Sequence, residues 1–198
     1  TGEIMKAHYE SVFVVGNIGI PYTQVALETQ DESVTVAEIS SFQLETIMDF
    51  HPNVSAILNI TPDHLNRHKT MENIEIKKSI TLNQTEQDSV VLNYDDPVLR
   101  EFGEDEEKKP KAKVIFFSSR EKLKEGFYLD GDDIMYRHNG RETLVINVHE
   151  MNLLGRHNYE NVMAAAAVSL EMGVPMDIIR KVIKEFKAVE HRIEFVLE

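Results

Sequence analysis

The chain has 198 residues, 42% of them hydrophobic and 28% charged, with no cysteine and a formal net charge of -13. This is enough for one domain with its own core. It excludes disulfides and thiolate metal sites, and it argues against a nucleic-acid surface, which needs cations to displace counterions. Anionic small substrates stay open, because a bound divalent cation supplies local positive charge. No signal-peptide pattern appears and no apolar run approaches the roughly 20 residues that span a bilayer. A cytoplasmic protein without a membrane partner is expected. Nothing in the sequence fixes an oligomeric state.

"TGEIMKAH" at the N-terminus reads as the middle of a helix with no cap before it. "SVFVVG" (11–16) is a short β-rich run ending in Gly, and "IPYTQVALE" follows with helical spacing. "SVTVAEIS" (33–40) predicts a second strand, and "SFQLETIMDF" a helix with Phe42, Leu44, Ile47 and Met48 available for burial. "VSAILNI" (54–60) is nearly all apolar, as strands covered on both faces are. Thr70 begins another predicted helix, "TMENIEIKKSITLN", and "SVVLNYDD" (89–96) predicts the next strand. "FGEDEEKKPK" (102–111) reads as a charged, solvated loop before the strand "AKVIFFS".

From 126 to 148, Asp-Gly and Asn-Gly turns separate alternating runs, which predicts a small antiparallel meander. "NYENVMAAAAVSLEMG" is a long small-residue helix ending at Gly173, and Pro175 opens a second helix, "MDIIRKVIKEF". The C-terminal "HRIEFVLE" has a strand-like pattern, and both ends look cut from something larger. The expected fold is α/β, with a mainly parallel Rossmann-like or P-loop-type sheet flanked by helices, plus the meander.

In such sheets ligands sit at the carboxyl ends of the strands. The loops "GNIG", "EISS" and "NITPDH" therefore draw attention. "GNIG" (16–19) brings backbone N–H groups and the Asn17 amide close to an anion or a sugar, although many ordinary turns share this composition. Glu38 leaves an apolar strand, where a carboxylate is costly unless paired or metal-bound, and both readings are open. Ser40 and Ser41 suit a helix cap.

Asp63 and His64 follow what reads as the strand neighbouring that of Glu38, so their loop would face it. Oxygen and imidazole donors together suit Mg²⁺ or Mn²⁺. His64 and His68 would suit zinc only on a helix, which Pro62 and "NRHK" oppose. His51 and His149 read as structural. Lys77 and Lys78 belong either to a solvated face or to a low-dielectric site where a neutral amine reacts with CO₂ to give a metal-binding carbamate.

"GRHNYEN" (155–161) puts His157, Asn158 and Asn161 at a helix start, with the two amides three apart on one face. They either close the helix end or recognise a purine edge. "EHRIE" (190–194) offers His191 and Arg192, the latter as a phosphate clamp or a surface pair. No G-x-x-x-x-G-K-[ST] occurs in the chain.

Taken together, "GNIGIP", "EISSFQLE", "NITPDHLNRH", "GRHNYEN" and "EHR" resemble the central domain of the Mur ligases, in family order from residue 16 to 192. "SSFQLE" beside "GNIG" resembles the D-glutamate-adding branch more than the other Mur ligases or the folylpolyglutamate synthases. The resemblance implies that residues 1–198 are a central ATPase domain, without the phosphate loop, the N-terminal UDP-binding domain and the C-terminal domain of such a ligase. It implies an ADP-forming carbon–nitrogen ligase of peptidoglycan synthesis, joining D-glutamate to UDP-N-acetylmuramoyl-L-alanine with ATP and Mg²⁺ or Mn²⁺. The isolated chain is expected to show no turnover.

By the same resemblance Glu38 and His64 are metal ligands, and Asp63 orients the metal or the carbamoylated lysine. Asn17, Ser40 and Gln43 hold the muramoyl substrate. His157, Asn158 and Asn161 meet the adenine side, and Arg192 the phosphates. The family lysine falls on Lys78 counted from His68 and on Lys77 counted back from Ile80. The helix register nearest to it favours Lys77, with Lys78 the alternative. A Mg²⁺-dependent phosphohydrolase using Glu38, Asp63 and His64, and a non-catalytic nucleotide-binding domain, are the competing readings.

Overall fold

The structure, a computed structural model, describes residues 1–17, 19–60, 79–107 and 109–187. Helix α1 (Gly2–Lys6) buries Ile4 and Met5 against the rest of the chain. Strand β1 (Val12–Gly16) pairs in parallel with β2 (Val34–Glu38), in register from Val12 opposite Val34 to Gly16 opposite Glu38. Their β-branched content suits a pleated, half-buried surface. The helices that follow are single turns, α2 (Tyr22–Val25) after Pro21 and α3 (Ser41–Leu44) after Ser40.

A second sheet holds six strands in chain order. These are β3 (Val54–Ile57), β4 (Ser89–Asn93), β5 (Lys113–Ser118), β6 (Gly126–Asp130), β7 (Asp133–His138) and β8 (Arg141–Asn147). The first four run parallel and the last three form the expected antiparallel meander. Side chains alternate across this sheet as the two-residue period requires. Val91, Ile115 and Phe117 point to one core, and Val90, Leu92, Val114 and Phe116 to the other.

Helix α4 (Pro97–Glu104) covers the second face with Leu99 and Phe102. On the first face lies α5 (Arg156–Glu171), whose Ala164, Ala166 and Ala167 are buried, so its backbone comes close to the sheet. α6 (Met176–Glu185) buries Ile179 and Ile183 and packs against α1 and β8.

Three expectations change. The charged segment 102–111 is not all loop, because Phe102–Glu104 close α4 and Phe102 is buried. The expected helix from Ser41 stops after one turn, leaving Phe42 63% and Met48 80% exposed, with Leu44 its buried anchor. Third, β2 and β3 are not neighbours. Among the described residues β2 pairs with β1 alone, and β3 pairs with β4. Most of the helix expected from Thr70 lies outside the described residues, which show only its last turn at 79–81. None of the described helices is long and apolar enough to cross a membrane.

Candidate functional site

Two of the loops of interest, those after β1 and β2, meet at the carboxyl ends of these parallel strands. Gly16 ends β1 at φ 119°, a left-handed conformation that favours glycine. A Cβ on Gly16 would lie 2.1 Å from the Glu38 carbonyl oxygen, so only glycine lets the two strand ends meet. The ladder then continues one step beyond the strand. Asn17 N–H donates to the Glu38 carbonyl at 2.8 Å, and Gly16 N–H to the Ile20 carbonyl at 3.0 Å. The Asn17 amide makes a long contact, 3.5 Å, with Glu38 Oε1. Two residues 21 apart in sequence thus share one exposed corner.

Glu38 points into solvent, and no lysine or arginine among the described residues pairs with it. A hard divalent cation needs only one or two protein carboxylates and leaves its other positions to water and phosphate oxygens. An open carboxylate beside an amide fits that pattern. No group of three or more metal-binding side chains occurs among the described residues. The other ligand candidates, His64 and Lys77 or Lys78, lie outside the described residues, as do Asp63, His68, His191 and Arg192.

Two further residues at this end hold each other. Ser40 is the N-cap of α3, and Gln43 Oε1 accepts from Ser40 N–H at 2.8 Å and from Ser40 Oγ at 3.0 Å. This reciprocal cap fixes the turn after β2. It occupies the Gln43 oxygen and leaves the Gln43 amide nitrogen toward solvent on an exposed side chain.

The adenine candidates stand at the start of α5, which packs on the six-stranded sheet. Gly155 at φ 92° turns the chain into the helix, and the exposed His157 ring sits beside it. Asn158 donates from Nδ2 to the Leu154 carbonyl at 2.7 Å, so the helix-closing role is real for this amide. Asn161, one turn on, is exposed.

A further polar group at the carboxyl end of β4 links residues 58–60, β5 and α5. Asn93, at the end of β4, is 6% exposed and donates from Nδ2 to the Leu58 carbonyl at 3.0 Å. Asp96 accepts from Ile60 N–H at 2.7 Å and caps α4 through Val98 and Leu99 N–H. Asp95 accepts from Ser118 Oγ at 2.6 Å and Ser119 N–H at 2.8 Å, and Ser119 Oγ donates to Glu160 on α5 at 2.5 Å. "NYDD" directly after the apolar run "SVVL" carries the same signal that singled out "NITPDH".

Comparison with known proteins follows the same lines. Residues 1–169 match the Mur ligase middle domain. A UDP-N-acetylmuramoylalanine–D-glutamate ligase of Lachnoclostridium phytofermentans is 55% identical over 196 residues, 98% of this chain and 42% of that protein. The ligase of the same name from Clostridioides difficile is 46% identical over 98% of this chain and 42% of its own length. The chain therefore spans about two fifths of the relatives it matches. Among solved structures, a UDP-N-acetylmuramoyl-L-alanyl-D-glutamate–2,6-diaminopimelate ligase superposes with a TM-score of 0.73 at 16% identity, covering 100% of this chain and 45% of that one. MurF from Acinetobacter baumannii gives 0.68 at 18% identity, covering 100% of this chain and 44% of that one. At such identities the likeness concerns the fold.

Proposed function

The chain belongs to the Mur ligase middle-domain family, and on that premise we propose that it is the ATP-binding centre of a ligase joining D-glutamate to UDP-N-acetylmuramoyl-L-alanine. The observation that carries this reading is identity of 55% across almost the whole chain, with Asn17 and Glu38 meeting at the strand ends where such a site belongs. In this reaction ATP phosphorylates the terminal carboxylate of the muramoyl substrate. The amine of D-glutamate attacks the acyl phosphate, an amide forms, and ADP and phosphate leave. Positioning and charge neutralisation supply most of the rate.

In this reading Glu38 holds the cation with His64 and a carbamoylated Lys77, with Lys78 as the alternative, and Asp63 orients them. Bound Mg²⁺ or Mn²⁺ would neutralise phosphate charge. Asn17, Ser40 and Gln43 hold the muramoyl substrate on the β1–β2 side. His157, Asn158 and Asn161 receive the adenine at the start of α5, and Arg192 reaches the phosphates. Asn158 has one of its two N–H donors engaged with Leu154, which leaves its second donor, its oxygen and Asn161 for purine recognition.

The test is ADP release by the polypeptide as the cell makes it, with UDP-N-acetylmuramoyl-L-alanine and ATP. Release that requires D-glutamate and drops at least a hundredfold in Glu38→Ala is expected. Phosphate release from simple esters without an amine acceptor would instead establish a phosphohydrolase.

A further inference from the structure

Resting on the adenine assignment above, we propose that Ser119 and Glu160 are positioning residues for the nucleotide, the hydrogen bond between them setting where the start of α5 presents Asn158 and Asn161. Val162 is the first buried residue of that helix. Ahead of it, residues 156–161 are exposed or half-buried. Tyr159 packs half-buried against the core, and the Asn158 amide bonds locally, to the Leu154 carbonyl. Glu160 makes the link to the strand ends, its Oε1 accepting from Ser119 Oγ at 2.5 Å. Asn158, Glu160 and Asn161 lie within one turn, so a shift of Glu160 carries both amides with it. Helix ends fray, and groups that recognise a ligand have to be held to roughly 0.5 Å.

The post that Glu160 leans on is itself held. Ser119 follows β5 and is buried. Its N–H donates to Asp95 Oδ2 at 2.8 Å, and Asp95 Oδ1 accepts from Ser118 Oγ at 2.6 Å. Ser118 is fully buried, and its Oγ accepts Arg120 and Glu121 N–H at 3.1 and 2.8 Å, which fixes the turn after the strand. Asp95 N–H donates in turn to Oδ1 of the buried Asn93 at 2.9 Å. The exits of β4 and β5 thus form one hydrogen-bonded frame, and Ser119 Oγ joins it to α5. Ser119 Oγ also lies 3.2 Å from Asp95 Oδ2, but a hydroxyl has one proton to give. The shorter contact directs that proton to Glu160, and the Ser119 N–H serves Asp95.

This division of labour makes the test selective. Ser119→Ala removes the bond to Glu160 and keeps the N–H on Asp95. Glu160→Ala removes the same bond from the other side, and Glu160→Gln keeps an acceptor for the hydroxyl. In the polypeptide as the cell makes it, ATP binding is measured by isothermal titration calorimetry, and ADP release gives kcat and the KM for ATP. Ser119→Ala and Glu160→Ala should each weaken ATP binding and raise that KM about 10-fold, with kcat at saturating ATP and the denaturation midpoint little changed. Ser119→Ala serves if Glu160→Ala misfolds. The double variant should bind ATP no more weakly than either single one, because both remove one bond. Glu160→Gln should bind ATP within about twofold of the unaltered protein. A loss in Glu160→Gln equal to that in Glu160→Ala would assign the effect to charge and overturn the inference. Asn161→Ala separates the two readings. Weakened ATP binding in Asn161→Ala with normal ATP constants in Ser119→Ala and Glu160→Ala overturns this inference and leaves the function standing. Unchanged ATP binding in Asn161→Ala overturns the adenine assignment and this inference with it.

Discussion

β1 and β2 are followed by helices of four residues each, whereas β4 and β5 lie between a helix of eight residues and one of sixteen. Every residue of β4 is buried, and β2 has none that is. Around the two-stranded sheet Val14, Ile20, Tyr22, Leu27, Phe42 and Met48 are all exposed. The residues proposed for substrate and metal, Asn17, Glu38, Ser40 and Gln43, stand on this thin layer, and those proposed for adenine begin a helix wedged against the thick one. Local opening is easiest where few apolar contacts are buried. Within this chain, the side proposed for the substrate is thus the less packed and the side proposed for the nucleotide the more packed.

The largest effect expected is at the thick sheet. Phe117→Ala removes a ring that is 0% exposed and should cost about 3–5 kcal/mol by chemical denaturation; a cost below about 1 kcal/mol would mean the two layers are equally loose. Gly16→Ala should cost on the order of 3 kcal/mol, because its methyl meets backbone that cannot rotate away and its φ disfavours a side chain.

Next comes Asp88, at the opposite, amino-terminal end of β4. Burial works against its charge, but hydrogen bonds from His51 and from Thr85 N–H and Oγ1 outweigh it and hold the carboxyl below the usual range. A depressed folded-state pKa stabilises above the unfolded value and is lost as pH falls through the folded one. Stability should thus decline below about pH 4, and Asp88→Asn, measured across that range, should remove part of the decline while costing about 1–2 kcal/mol at neutral pH. The smallest effect is at the thin layer's surface: Phe42→Ser should change stability by no more than about 0.5 kcal/mol. A larger loss would reveal packing at Phe42 that its exposure of 63% does not show.

Strands were legible because their apolar runs are short and bounded by turn residues, as in "SVVLN" and "KVIFFS". Strand partners were not. Nothing in the composition of 33–40 and 54–60 says that β2 and β3 belong to different ladders, because pairing is decided by the whole fold. The charges in 102–111 hid the end of α4, although Asp96 followed by Pro97 is a strong start signal. "SFQLETIMDF" overstated its helix, because helical spacing of apolar residues does not ensure a surface to pack against. At the site, Asn17 and Glu38 were each legible as residues at a strand exit, but their meeting was not, because it depends on the β1–β2 pairing. "NYDD" was overlooked because its carboxylates act on backbone amides, a role that residue type alone does not announce.

The alanines of α5 have a mechanical consequence. Ala164, Ala166 and Ala167 bring much of the helix backbone close to the strands beneath it, with Val162 and Met163 filling the rest of the contact. Sliding the helix by even one residue, a rise of about 1.5 Å, would set larger neighbours such as Met163 and Val168 where only a methyl fits. Such a close contact ties the helix that begins with the residues proposed for adenine firmly to the thick sheet.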